Sequence, residues 1–322
     1  MVNRYLDGVR VMLGGEPHRP LPDEYSDKAK AIHSSQKMTK EDFDKMASHV
    51  ALHRGKALWR RRRWAVLITV NLLFVLSYQL DIQAVEGSLS GSRFLGFHLI
   101  DLNSALQLML AHKHIIVNLL IGVATIGGGW LLLGGRSFCA WACPYHFLSE
   151  LAEMLHLSLA AKKIVKDHPM HRGLRVVLWA TFAVLAYGTG YTVYETISPT
   201  GITSRAIIYG PGLAFLWVIA LLAFEVLYSR RAWCRYLCPI GLTYGSVGVL
   251  SPVRITYDLN KCHHEQDCRK VCLVPHVLDM VVKGRATSEH VDVGPDCTRC
   301  GMCVDTCPSG ALNFSIVGIS KR

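Results

Sequence analysis

The residues best placed to do chemistry are cysteines, and they come in runs. Residues 297–307 read Cys297-x2-Cys300-x2-Cys303-x3-Cys307, followed by Pro308. A bacterial ferredoxin loop uses this spacing to wrap three thiolates around one iron–sulfur cluster and lend the fourth to a neighbouring cluster. An upstream run matches in all but one slot. Cys262, Cys268 and Cys272 fill slots one, three and four, whereas slot two holds Glu265 and Leu273 stands in the place of the proline. Two ligand sets follow. Cys272, Cys297, Cys300 and Cys303 suit a [4Fe–4S] cluster, while Cys262, Cys268 and Cys307 leave one iron of a second cluster without a thiolate. Either that iron is lost and the cluster becomes [3Fe–4S], or Glu265 ligates through oxygen, or His263 or His264 does so through nitrogen. In the plainest case Glu265 is a solvated loop residue and no cluster forms there.

The other four cysteines form an internal repeat. Arg136-Ser137-Phe138-Cys139-Ala140-Trp141-Ala142-Cys143-Pro144 and Arg231-Ala232-Trp233-Cys234-Arg235-Tyr236-Leu237-Cys238-Pro239 both read R-x-aromatic-C-x3-C-P, 95 residues apart. One such pair cannot complete a four-ligand site, but two pairs together supply the four thiolates that an iron–sulfur cluster takes. A zinc site has the same arithmetic, and four buried structural thiols are the reading without a metal. Because C-x3-C-P is the second half of the ferredoxin run, the repeat is read as holding a [4Fe–4S] cluster, the second of two. With seven cysteines in one module and four in the repeat, all eleven are used. A secreted disulfide framework would not need this spacing.

The elements that must carry these motifs are apolar. Of 322 residues 51% are hydrophobic and only 18% charged, and the mean hydropathy is +0.25, a balance unusual for a soluble domain. Apolar stretches at 64–82, 114–133, 174–194 and 211–228 predict four transmembrane helices, since about 20 helical residues cross the hydrocarbon core. The net charge of +11 could suit nucleic acid, but the basic residues sit beside the apolar runs instead of forming a stripe with interleaved aromatics. Loops 51–63, 134–175 and 229–254 hold sixteen Lys and Arg, whereas 83–113 and 195–210 hold Arg93, Lys113 and Arg205. That bias predicts a multi-pass protein of the bacterial inner membrane with both termini in the cytoplasm. The first thirty residues show no continuous apolar run or cleavage site, so no secretory leader is expected.

Three regions follow: a cytoplasmic leader (1–58), a four-span membrane domain of two repeated hairpins (59–250), and a small cytoplasmic α+β ferredoxin module (251–322). In the leader, Thr39 can cap a helix, and Phe43, Met46, Ala47, Val50 and Ala51 recur at amphipathic spacing. Segments 92–112 and 147–160 predict interfacial helices. Gly127, Gly128, Gly129, Gly188 and Gly190 allow close helix approach, and Asn71 and Asn118 can bond between helices.

Four spans, two C-x3-C-P motifs and a C-terminal ferredoxin module together resemble NapH and MauN, ferredoxin-type membrane components linked to periplasmic nitrate reduction and methylamine oxidation. The likeness covers about residues 60–318 and includes Pro275-His276-Val277-Leu278. It implies a quinol dehydrogenase component that passes electrons from the quinone pool through iron–sulfur clusters to a periplasmic reductase chain. Glu265 and the long leader depart from that pattern. A membrane factor that assembles or maintains a metalloenzyme, like FixG or NosR, is the alternative, although those proteins carry further domains. For quinol oxidation the candidate proton acceptors are His98 and Asp101, three apart, and Glu225 near the end of the fourth apolar stretch. Glu225 can instead pair with Arg230 or Arg231, and His98 can be an ordinary interfacial histidine.

Overall fold

A proline after each second cysteine of the repeat dictates the local fold. The residue before proline is pushed into extended backbone, and proline itself suits the first turn of a helix. Cys143 (ψ 115°) and Cys238 (ψ 112°) accordingly sit at the N-caps of the helices Pro144–Ala161 and Pro239–Gly248. In this computed structural model, which describes residues 2–35, 57–81, 85–94 and 97–319, the repeat extends well beyond the motif. The first half runs through the helices Leu58–Gln79, Leu102–His112, Val117–Leu133 and Ser137–Trp141, ending in Pro144–Ala161. The second runs through Leu174–Thr189, Val193–Ile197, Pro199–Tyr209 and Phe215–Leu227, then a π-turn, Trp233–Leu237, and Pro239–Gly248. Each half contains an 11-residue helix with a side-chain N-cap, Asp101 in one and Ser198 in the other.

The expected four-span membrane fold and inner-membrane placement are corrected: among the described residues no helix is long and apolar enough to cross a membrane. Where spans were expected, the helices have 22, 17, 16 and 13 residues. At a rise of 1.5 Å per residue the last three reach about 26, 24 and 20 Å, short of the ~30 Å hydrocarbon thickness. The 22-residue helix includes Arg60, Arg61, Arg62 and Arg63, of which Arg63 is fully buried against Glu150. Gly134 (φ 120°) and Gly190 (φ 72°) end two of the helices early. The positive-inside reading of the loops loses its basis with the spans.

Segment 92–112 is also not one helix. A three-stranded antiparallel sheet of Val85–Ser88, Gly91–Phe94 and Phe97–Ile100 takes its first part, and Asp101 starts the helix only at Leu102 by accepting from Asn103 N and Ser104 N. The segment expected as a second interfacial helix lies within Pro144–Ala161, whose buried face includes Ser149, Glu150 and His156. The glycines at 128, 129 and 188 face open space. Tight approaches fall instead at Gly122, where a Cβ would strike the backbone of His98, and at Gly135, where it would strike that of Gly248. Asn71 does bond between elements, donating to Ala142 O at 3.1 Å. The amphipathic helix expected at 39–51 lies outside the described residues.

The C-terminal module is built on the strand Val253–Asp258, flanked antiparallel by His290–Asp292 and Leu312–Ile316. Ile255 and Tyr257 alternate inward to a core that contains six of the module's seven cysteines. Ala29, from the helix Asp27–Ser35, is part of that core. The N-terminal segment is pinned there by Tyr25 Oη donating to Gly284 O (2.5 Å) and by His33 Nε2 against Ala286 O (3.0 Å).

Asp296 docks the module on the helices. Its carboxylate is 1% exposed and meets Arg136 at 2.6 Å, Arg175 at 3.1 Å and His276 at 2.6 Å. Burial alone would raise this carboxyl, but Arg136, Arg175 and His276 outweigh it and hold it far below the usual carboxylate range. Arg299 adds a second tie: its guanidinium donates to the carbonyls of Gly134, Cys297 and Gly248. Asp296→Ala leaves two guanidiniums buried without their anion. It is expected to cost about 3–5 kcal/mol, read as a fall in the denaturant midpoint. A carboxyl depressed in the fold stabilises above its unfolded value of about 3.9 and loses that contribution as pH falls toward the folded one. Wild-type stability is therefore expected to drop with acid below about pH 4 more steeply than that of Asp296→Ala.

Candidate iron–sulfur sites

The two ferredoxin runs fold alike. In the downstream loop Arg299 (φ 48°) and Gly301 (φ 75°) flank Cys300; in the upstream loop His264 (φ 62°) and Gln266 (φ 64°) flank Glu265. Left-handed backbone is uncommon outside glycine, so its recurrence on both sides of slot two marks one shared turn. Arg299 N donates to Cys297 Sγ at 3.4 Å, and His264 N donates to Cys262 Sγ at 3.3 Å. Short helices, Met302–Thr306 and Asp267–Val271, then carry slot three, and slot four caps their C-termini in extended backbone. Val274 N and Ala311 N donate to Cys272 Sγ and Cys307 Sγ at 3.4 and 3.2 Å. Such N–H···S bonds stabilise thiolate charge and tune cluster potential.

The charges that act on the module's cysteines fall mostly into two neighbourhoods. Burial raises the Cys272 thiol well above its ordinary value, and Cys300 and Cys297 beside it add to the effect. Cys303 is raised in the same way, by burial and then by Cys272, Cys300 and Cys297, with Cys268 of the other run last. In the other group burial pushes Cys268 up to about 12, with Cys307 and Cys262 adding to it. Cys262 is raised by burial and, more weakly, by Cys307 and Glu265. Cys272 thus lies with Cys297, Cys300 and Cys303, and Cys307 with Cys262 and Cys268.

The four repeat cysteines, Cys139, Cys143, Cys234 and Cys238, line a single cavity. It is walled by Phe138, Trp233 and Ile240, and by Leu273, Val274 and Thr298 of the ferredoxin module. Side chains inside each C-x3-C loop reach across to that module. Trp141 Nε1 donates to Arg299 O at 3.2 Å, and Arg235 Nε donates to Leu273 O at 3.0 Å. Arg136 does both jobs, holding Asp296 while its Nη2 donates to Cys234 O at 3.0 Å. Backbone N–H groups of Tyr145 and His146 point at Cys143, and those of Ile240 and Gly241 at Cys238. This is the N-cap arrangement with sulfur as acceptor.

An anionic metal–thiolate group fits this cavity. Among the described residues His146 Nδ1 and Trp233 Nε1 are buried there without hydrogen-bond partners, and each buried unmet donor costs about 1–3 kcal/mol. Burial pushes the Cys143 thiol up to about 11, so ionised sulfur there is favoured by added positive charge such as a metal's. Among the described residues no three His, Cys, Asp or Glu side chains crowd round one ion position. A mononuclear tetrahedral site, with Zn–S of about 2.3 Å, needs such crowding; a cluster spreads its thiolates over several irons.

The three proton-acceptor candidates part company. Glu225 is fully buried behind Cys234, accepting from Ser149 Oγ at 2.6 Å and from Trp233 N at 3.0 Å. Arg230 and Arg231 pair with Glu153 instead. Asp101 is buried as a helix cap. His98 is exposed on the strand Phe97–Ile100, opposite Arg93, and is not on a helix face with Asp101. Sequence reasoning passed over the roles of Arg136, Arg231 and His146. The arginines at matched positions of the repeat, Arg136 and Arg231, were the available signal, since a charged residue kept in both copies of an apolar repeat needs a buried partner.

Comparison with known families agrees with this geometry. A 4Fe-4S binding domain matches twice, at residues 115–164 and 210–255, once for each copy of the repeat. A second 4Fe-4S binding domain matches residues 295–313. The chain is 31% identical over 269 residues to the ferredoxin-type protein NapH of Escherichia coli, covering 81% of this chain and 92% of that protein. It is 33% identical over 267 residues to the methylamine utilization ferredoxin-type protein MauN of Methylobacillus flagellatus, covering 81% and 92%. MauN of Methylorubrum extorquens is 29% identical over 271 residues, covering 84% and 92%. No solved structure matches.

If one group takes all four repeat thiolates, Cys139→Ser and Cys234→Ser are each expected to remove the same iron and the same spectral component. The double variant then loses no more than either single, the non-additivity of residues sharing one object. Iron-to-protein ratios across the set check this; twofold loss in the double variant means two separate sites.

Proposed function

Because the chain belongs to the family of NapH and MauN ferredoxin-type proteins, we propose that it is an iron–sulfur electron-transfer protein that takes electrons from a quinol and hands them to a partner redox protein. The observation that carries the reading is the common wall: residues next to Cys272 and Cys297 line the cavity that holds Cys139, Cys143, Cys234 and Cys238. When bound, iron–sulfur clusters supply one-electron redox steps at potentials set by net charge, hydrogen bonds to sulfur and burial. The chain's own residues set those terms. Cys139, Cys143, Cys234 and Cys238 would hold one [4Fe–4S] group, and Cys272, Cys297, Cys300 and Cys303 the other. Arg136 and Arg235 clamp the two sites together, and their positive charge favours added electrons.

For the remaining group we favour oxygen ligation by Glu265 over the loss of an iron and over ligation by His263 or His264. Glu265 stands at the same place in the same turn as Cys300, and its charge is felt at Cys262. His264 Nδ1 is engaged by Val281 O at 2.8 Å.

The test of the quinol reading is anaerobic mixing of reconstituted protein with a reduced quinol analogue, followed by the visible bleaching of iron–sulfur absorbance. Reduction by quinol as well as by dithionite is expected; reduction by dithionite alone sinks the donor assignment. For the upstream group, Glu265→Cys is expected to give an ordinary four-thiolate [4Fe–4S] EPR spectrum, and Glu265→Ala a [3Fe–4S] one. Unchanged spectra and iron content in both variants rule out Glu265 as a ligand.

A further inference from the structure

Asp101 does more than cap a helix. Oδ2 accepts from Asn103 N, Ser104 N and Ser104 Oγ at 3.0, 3.1 and 3.2 Å, and Oδ1 is equally buried. Ser104 Oγ also contacts Glu195 Oε1. A hydroxyl has one hydrogen, so it cannot donate to both carboxylates. The other contact becomes a hydrogen bond when one of the two carboxyls carries a proton. On its other side Asp101 lies beside the Tyr244 hydroxyl. The Tyr244 ring stacks on Phe138 at 4.5 Å with an interplanar angle of 10°, and Phe138 and Cys139 share the cysteine cavity.

We propose that Asp101 is a proton-loading site that exchanges with solvent through Ser104 and Glu195 and senses the charge of the four-cysteine cavity through Tyr244. Glu195 is only half-buried and supplies the solvent end. When an electron enters the cavity, one proton passes from water to Glu195, from Glu195 to Ser104 Oγ as the Ser104 hydrogen moves on, and so to Asp101. One O–H bond breaks and one forms at each transfer, and the net change is one electron and one proton gained. Burial, and then the charge of Glu195, push the Asp101 carboxyl up to about 6, which puts the exchange near neutral pH.

Few other charges among the described residues bear on the pair. Arg205 Nη2 reaches Glu195 O at 3.5 Å. Tyr194, fully buried next in the chain, has its hydroxyl 3.9 Å from Cys238 Sγ. Of the helices packed on Leu102–His112, Val117–Leu133 has no titratable side chain, and Leu174–Thr189 has only Arg175 and Tyr187, at its two ends. Glu225, buried behind Cys234, is another buried acid near the cavity; Asp101 differs from it in being joined through Ser104 to the half-buried Glu195.

This inference rests on reading the cavity as a redox centre, but its test needs no quinol. The centre's midpoint potential is measured with mediator dyes and dithionite between pH 5 and 9 in the full-length protein. Uptake of one proton with the electron makes the midpoint fall above about pH 6. For full coupling a tenfold drop in proton concentration changes the reduction equilibrium tenfold, about 59 mV. Asp101→Asn keeps an N-cap acceptor and is expected to flatten that slope. Ser104→Ala is expected to keep it but slow proton uptake, followed with a pH dye after rapid reduction, at least tenfold. A pH-independent wild-type midpoint overturns the proposal, as does an undiminished slope in Asp101→Asn. If Asp101→Asn does not take up iron, Ser104→Ala decides alone, and unchanged uptake in it is a refutation. A centre with a pH-independent potential sinks this inference only, whereas no reducible centre in the cavity sinks the electron-transfer reading.

Discussion

Asp296 is the anion on which the rest of the structure depends. Two buried guanidiniums, Arg136 from the first copy of the motif and Arg175 from the start of the second half, share it with His276. Removing such charges from water costs several kcal/mol each unless they are paired at close range. The residue that pairs them is next to Cys297. The charge requirement of the helical repeat is thus met by the ferredoxin module, and it fixes that module where Thr298, Leu273 and Val274 close the cysteine cavity.

The same constraint governs the cysteines. Their burial opposes ionisation, and backbone N–H groups aimed at sulfur offset this, joined at the repeat cavity and the downstream loop by arginine, as Arg136 at Cys139 and Arg299 at Cys297. Among the described residues, donors without partners line the repeat cavity. A group carrying negative charge on sulfur completes it. The ferredoxin loops are better satisfied from within, because their N–H···S bonds are set by left-handed turns and short helices local to each run.

Slot two of the upstream run shows how a fold can outlast a ligand change. The turn around Glu265 keeps the left-handed backbone on both sides that its counterpart has around Cys300, although neither His264 nor Gln266 is a glycine. Such conformations cost energy and persist where the surroundings over-determine them. Here the surroundings are Cys262, with its bond from His264 N, and His264, anchored to Val281 O.

Local chemistry was legible in the sequence. Cysteine spacing alone paired Cys272 with the downstream loop and Cys307 with the upstream one, because the order of ligands along a ferredoxin run is set within a few residues. The repeat, too, was visible as R-x-aromatic-C-x3-C-P, and Pro144 and Pro239 dictated where helices begin. Helix length was not. Apolar composition marks where helices lie, but Gly134 and Gly190 end two of them early, and Asp101 starts a helix where a longer one was expected; caps and turns cut the apolar runs into pieces too short to cross a membrane. Nor could spacing reveal that Asp296, Arg175 and Arg299 hold the halves together, or that Ser104 joins Asp101 to Glu195. Those partners are distant in the chain. Which charge answers which is decided only when folding removes water from both, and that is a property of the tertiary structure.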